Sequence, residues 1–137
     1  MFNATAPVHY RGVPFHFNGQ TIIVPALSYD QAEEHATKID QCTDPSDALT
    51  ADQIMGMSSE AFKVHADKTR VRRRLMKEII GVAIKRNYPD FSAEELAAFV
   101  DFDNGQAAFN AALGYTKDAA KITDPGEWKP AVSAGQN

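Results

Sequence analysis

The sequence predicts an α+β fold that is mostly helical, with an N-terminal β-hairpin followed by a bundle of about four helices. An Asn-Gly pair lies between two short apolar runs, which is the pattern of a tight hairpin. Capping residues precede several amphipathic stretches, and apolar residues recur at helical spacing over a long segment. The 137 residues suffice for one domain, which we place at residues 1–116, with an extended or disordered tail at 117–137.

The hairpin is predicted at residues 12–25, with its two-residue turn at Asn18 and Gly19, because a type I′ turn needs positive φ at both central positions. The resulting register places Phe15 opposite Ile22 and collects the large apolar side chains on one face. Two strands alone are marginal in water, so this face must pack on helices or on another subunit. Four of its residues are therefore candidates for partner binding: Phe15, Phe17, Ile22 and Val24.

Two helices are expected before the middle of the chain. The first begins with Ser28 as its N-cap and runs to about Ile39. The composition of residues 40–48 then indicates a loop. Thr50 stands three residues before Gln53, which is the spacing of a capping box and predicts a second, short helix.

A long helix is predicted from about Ser59 to Asn87, and Pro89 stops it. Its apolar residues form one stripe that we expect to be buried: Val64, Val71, Leu75, Ile79, Val82 and Ala83. Ser92 opens the next helix with a second capping box, and Gly114 is suited to end the last one, so the helical part spans residues 28–114.

Basic residues are concentrated in the long helix. The chain has a formal net charge of −4, yet residues 63–86 contain nine of its 14 lysines and arginines. The foremost interpretation is a solvated face that pairs with the acidic flanking segments. An acidic protein partner is the second interpretation, for which Arg70, Arg73 and Arg74 are candidates. Nucleic acid comes last, because the whole chain is acidic and contains no recognition module.

No pattern in the sequence predicts an enzyme, a metal site or a cofactor. The single cysteine, Cys42, has no evident base beside it, and no two of the four histidines have the spacing of a helical metal site. Residues 101–105 resemble the start of a calcium loop, but Gly105 falls at position 5 and Ala112 at position 12, where glutamate is required. No apolar run approaches the ~20 residues of a membrane span, and no signal peptide is evident, so we expect a cytoplasmic protein.

Trp128 is the one tryptophan of the chain, and it lies between two prolines in the predicted irregular tail. A large aromatic residue in such a segment either docks on the protein's own surface or serves as an anchor for a partner. We count Trp128 among the candidate partner-binding residues.

Two segments together resemble a known family. Residues 23–28 read Ile-Val-Pro-Ala-Leu-Ser and follow the hairpin, and residues 84–96 read Ile-Lys-Arg-Asn-Tyr-Pro-Asp-Phe-Ser-Ala-Glu-Glu-Leu. This order resembles the small tail assembly chaperones of long-tailed bacteriophages over residues 12–114, with Ala26 in place of a second proline. The resemblance implies a non-enzymatic protein that binds the helical tape measure protein before the tail tube polymerises. It also implies a homo-oligomer in the host cytoplasm that is absent from the mature virion.

Two other functions remain open on the sequence alone. One is a small structural or adaptor protein of the virion, such as a head–tail joining component. The other is a small DNA-binding regulator that uses residues 70–86, which would bind duplex DNA with a steep dependence on salt.

Overall fold

A computed structural model describes residue 2 and residues 8–43 and 49–115 of the chain. Within these residues, two strands precede six helical segments: β1 (Gly12–Phe17), β2 (Gln20–Pro25), α1 (Tyr29–Glu34), α2 (Ala36–Thr43), α3 (Ala51–Met55), α4 (Ser59–Asn87), α5 (Ala93–Phe99) and α6 (Gly105–Leu113). The mostly helical α+β prediction is confirmed. The predicted tail at 117–137, together with Trp128, lies outside the described residues.

The hairpin has the predicted turn and register. Asn18 and Gly19 take φ values of 52° and 74°, as a type I′ turn requires. Phe15 pairs with Ile22, and the antiparallel register continues to Gly12 opposite Pro25. The local chemistry of the Asn-Gly turn is therefore sufficient to set which side chains share a face.

The apolar face of the hairpin packs on the helices of its own chain. Ile22 and Val24 are fully buried, Phe17 is buried and Phe15 is half-buried, all against a core that α4, α5 and α6 complete. The ring of Phe15 meets that of Phe99 edge-on at 5.6 Å between centroids. The sequence analysis required the hairpin face to pack on helices or on another subunit, and in the structure the helices of the same chain cover it.

An aromatic cluster forms one end of the core. The ring of Phe2 lies 4.8 Å from that of Phe91 and 5.5 Å from that of Tyr88, measured between centroids. Phe17 and Phe99 complete the cluster, with their centroids 5.6 Å apart. Tilted and edge-on rings of this kind contribute beyond the area they bury, by about 0.5–1.5 kcal/mol per pair. Phe2 is thus part of the core, which the sequence patterns did not predict.

The three predicted N-caps are present, and each forms a reciprocal capping box. The hydroxyls of Ser28, Thr50 and Ser92 accept from backbone N–H groups three residues on, and the side chain found there accepts from the cap's own N–H. The predicted first helix differs in two respects. It is interrupted at His35, and it continues to Thr43, through part of the predicted loop, because Cys42 is buried against the long helix.

Helix α4 matches its predicted bounds, but its predicted stripe is only partly buried. The residues from 79 to 87 supply the core, and most of this segment is buried: Ile79, Ile80, Gly81, Ala83, Ile84 and Asn87. Toward the other end, Val64 is 55% exposed and Val71 is 43% exposed. The prediction of a stripe buried along its whole length is wrong for these two valines. The helix has 29 residues and is about 43 Å long, so its first half extends beyond the core. We call residues 79–87 the buried half of α4 and residues 59–74 the exposed half.

The two segments that carry the family resemblance touch one another in the fold. The backbone N–H of Ile23 donates to the hydroxyl of Tyr88 at 2.9 Å, and the Asn87 amide donates to the Ile23 carbonyl at 3.3 Å. Arg86 donates to the Ala26 carbonyl at 2.6 Å. These side chains bond the end of α4 to β2 and to the residue after it, so the motif positions stabilise the architecture.

Candidate interaction surface

No group of three or more histidine, cysteine or acidic side chains in the described ranges is placed to hold a metal ion. Burial raises the pKa of the Cys42 thiol, with the positive charge of Arg72 opposing the rise, and a raised pKa disfavours the reactive thiolate.

The hairpin face does not supply a surface that could bind another molecule. Ile22 and Val24 are fully buried and Phe17 nearly so, which corrects their assignment as candidate partner-binding residues. A partner could reach them only after the hairpin separated from the helices. Phe15 is half-buried, and its exposed edge is too small to form a binding site by itself.

The candidate arginines lie on the exposed half of α4, within an arc of about 100° around its axis, and they make different contacts. Successive residues of a helix are rotated by about 100°, so Arg74 lies about 40° to one side of Arg70 around the axis and Arg73 about 60° to the other side. The Arg73 guanidinium lies over the ring of Phe102, 4.8 Å from its centroid, whereas Arg70 pairs with Asp67 one turn earlier. Arg74 is exposed beside Glu78. Arg70 and Arg73 therefore each already have a partner within the chain.

A first groove lies between α2 and α4. Its cavity is about 410 Å³ in volume, and its apolar surface comes from Val64, Val71 and Leu75, which recur at steps of seven and four along the helix. Charged and polar side chains border this surface: Gln41, Asp67, Lys68 and Arg72. We call this cavity the α2–α4 groove.

An ion pair connects the two helices that form the α2–α4 groove. Lys38 donates to the Glu78 carboxylate at 2.8 Å. This hydrogen bond, with the charges of Lys38, His35 and Arg74, holds the pKa of Glu78 below its ordinary value. The pair is half-exposed, so its contribution to stability is small.

A second groove lies on another side of α4, facing the turn between α5 and α6. Its cavity is about 730 Å³ in volume, with Met76, Ile80 and Val100 as its apolar lining. Cationic side chains of α4 border one side, namely Arg72, Arg73, Arg74 and Lys77, and Asp101 borders the other. Phe102 lies at its edge with 85% of its surface exposed. We call this cavity the α4–α6 groove.

Neither groove was predicted from the sequence. Phe102 lies within residues 101–105, for which the sequence predicts no site, although a large aromatic residue between two aspartates is itself a signal that the segment carries an exposed ring. Phe62, which is half exposed, falls outside the predicted stripe. No sequence signal could have distinguished Val71 from Ile79, because both occupy the same helical stripe and only the arrangement of the other helices decides which is covered.

None of the helices in the described part of the chain is both long and apolar enough to span a membrane. Comparisons of the chain with protein-family models, with curated proteins and with solved structures find no match.

Proposed function

We propose that this chain is a bacteriophage tail assembly chaperone, a non-enzymatic protein that binds the tape measure protein and keeps it soluble before the tail tube polymerises. The observation that carries the proposal is the exposed half of α4, where the apolar stripe continues beyond the part of the helix that the core covers. The resemblance of residues 23–28 and 84–96 to such chaperones supplies the class of partner.

The α2–α4 groove has the chemistry that a helical client needs. Val64, Val71 and Leu75 present an apolar line on a helix, and an amphipathic client helix binds such a line through residues at matching spacing. The bordering charges include Asp67 on one side and Arg72 on the other, so a client with charges of both signs beside its apolar stripe is complementary.

A chaperone of this kind needs contacts that are individually weak. Each exposed valine offers only part of its surface, so one groove binds one client turn loosely. A long helical client presents many such turns, and several copies of the chaperone along it would bind with much greater total affinity than one. We accordingly propose a homo-oligomer that acts in the host cytoplasm and is released before the virion is complete.

Binding of nucleic acid through residues 70–86 is the least favoured alternative. Arg70 is paired with Asp67, Arg73 is stacked on Phe102 and Arg86 is bonded to the Ala26 carbonyl, so three of the cations already have partners within the chain. Phosphate binding would have to compete with these contacts, and the net charge of the chain opposes it.

Co-expression with the tape measure protein of the same phage, which the proposal expects to be a long helical protein encoded beside this chain, tests the proposal. We expect that protein to be insoluble alone, to become soluble with the chaperone, and to co-purify with it. We also expect mass spectrometry of purified phage particles to find no copies of the chaperone. A client that stays insoluble with no complex would contradict the chaperone function, and stoichiometric copies in the particle would favour a virion component instead.

A further inference from the structure

The α4–α6 groove has two sides of opposite charge and an unusually exposed aromatic ring between them. Arg73 and Lys77 border it on α4, and Asp101 borders it on the turn before α6. Phe102 leaves most of its ring in solvent, covered only by Arg73 among the contacts described. An exposed aromatic ring beside a half-buried apolar lining is a favourable site for a second aromatic side chain.

The part of the chain beyond Tyr115 contains a segment that matches this arrangement. Residues 127–129 read Glu-Trp-Lys, so a large aromatic residue stands between one negative and one positive side chain. An indole is the best ring for packing against a guanidinium. With Trp128 in the groove, Glu127 can face the cations of α4 while Lys129 faces Asp101.

The length of chain after α6 is sufficient for this placement. Trp128 follows Tyr115 by 13 residues. A segment of that length spans at most about 45 Å, and a flexible one has an average end-to-end distance of about 20 Å. Helix α6 is nine residues long, or about 14 Å, and its first turn, at Gly105 and Gln106, lines the groove. The groove therefore lies within easy reach of a segment that leaves the far end of α6.

We propose that the α4–α6 groove is the docking site of the chain's own segment 124–130, with Trp128 packed on Met76 and Phe102 beside Arg73. Because the segment is tethered, it is present at the groove at an effective concentration in the millimolar range, so even a weak contact keeps the groove occupied. A partner that uses this groove must displace Trp128. The inference does not depend on the chaperone function, since it concerns the chain alone.

Tryptophan fluorescence of the full chain tests the docking, because Trp128 is the only tryptophan. A synthetic peptide of residues 116–137 provides the reference for an undocked indole. We expect the emission of Trp128 in the full chain to be shifted to the blue of the peptide, and its quenching by acrylamide to be much weaker. Arg73→Ala and Phe102→Ala remove exposed side chains, so the fold is retained, and each should weaken docking by about fivefold.

Arg70→Ala is the matched control. It removes the same charge from an exposed position of the same helix but outside the groove, so emission and quenching should stay as in the unmodified chain. Three results would overturn the inference: emission of the full chain that equals that of the peptide, protection that survives both Arg73→Ala and Phe102→Ala, or protection that disappears on dilution. The last would place the segment on a second copy. Circular dichroism of each variant confirms that the helices are intact.

Discussion

The two halves of helix α4 have the same apolar repeat but different surroundings. In the buried half, Ile79 and Ile84 are fully buried in the core that β2 and α6 help to form. In the exposed half, Val64 and Val71 continue the stripe into solvent and line the α2–α4 groove. One uninterrupted helix thus serves as the centre of the core at one end and as a free surface at the other. The difference teaches that the periodicity of a helix reports which face is apolar, and leaves open what covers that face.

The largest effect on stability is expected in the buried half. Ile84→Ala removes a fully buried side chain and leaves a cavity, so the free energy of unfolding should fall by about 2–5 kcal/mol. Chemical denaturation followed by circular dichroism measures the change. A loss below ~1 kcal/mol would show that the hairpin and helices do not enclose this position as described.

The next effect concerns the buried amide at the end of α4. The Asn87 Oδ1 accepts from the backbone N–H groups of His9 and Tyr10 at 3.0 and 2.9 Å, and its Nδ2 donates to the carbonyls of Tyr10 and Ile23. Asn87→Ala leaves these backbone groups without a partner and should destabilise the protein by about 2–3 kcal/mol.

Asn110→Ala is the control for Asn87→Ala. Asn110 is partly exposed, and within the described residues its side chain only accepts from Gln106 one turn earlier. Thermal unfolding of both variants should show a clear decrease in Tm for Asn87→Ala and little change for Asn110→Ala. Equal decreases would mean that the network at the end of α4 adds nothing specific to stability.

A smaller, pH-dependent effect is expected at Tyr88. Burial raises the pKa of its hydroxyl, while the bond from the Ile23 N–H opposes the rise. Because the pKa is higher in the folded than in the unfolded protein, this contribution to stability is full below about pH 10 and is lost as the pH rises through the folded value. Tyr88→Phe should cost about 1–2 kcal/mol at neutral pH, through the loss of the acceptor for Ile23, and should flatten the alkaline part of the stability curve.

Tyr115→Phe is the control for the alkaline measurement, because Tyr115 is largely exposed. Denaturation across the alkaline range should give parallel curves for Tyr115→Phe and the unmodified chain. If Tyr88→Phe also runs parallel to them, the raised pKa of Tyr88 does not contribute to stability.

The smallest effect on stability is expected in the exposed half of α4. Val71→Ala removes a side chain that is only partly covered, and alanine favours the helix, so the free energy of unfolding should change by less than about 0.5 kcal/mol. Measuring the free energy of unfolding of Val71→Ala and Ile84→Ala in the same denaturation experiment compares the two halves of α4 directly. A loss as large as that of Ile84→Ala would show that Val71 is buried in solution.

The elements that the sequence predicted well are those that local chemistry determines. The Asn18-Gly19 turn sets the hairpin register, and the caps Ser28, Thr50 and Ser92 set the starts of three helices. The interruption at His35 could not be predicted in this way. It belongs with features that depend on packing between elements distant in the chain.

Packing between distant elements also decides which of the candidate binding residues are buried and which are exposed. The burial of Ile22 and Val24 in the chain's own core follows from how the hairpin meets α4 and α6, and Val71 lies outside that core. The place of Phe2 in the aromatic cluster depends on contacts with Phe17 and Phe91, which are 15 and 89 positions away. Sequence patterns identified the basic helix, but the grooves beside it exist only once the helices are assembled.

The most direct test of the claim that the exposed half of α4 binds the client is a pull-down of the tape measure protein with Val64→Glu/Val71→Glu. Tyr29→Glu, at an exposed position on α1, is the control for added negative charge. Both variants should keep the Tm and helical content of the unmodified chain within experimental error. We expect the double variant to lose client binding at least tenfold, while Tyr29→Glu binds normally; retention of binding by the folded double variant would contradict the claim.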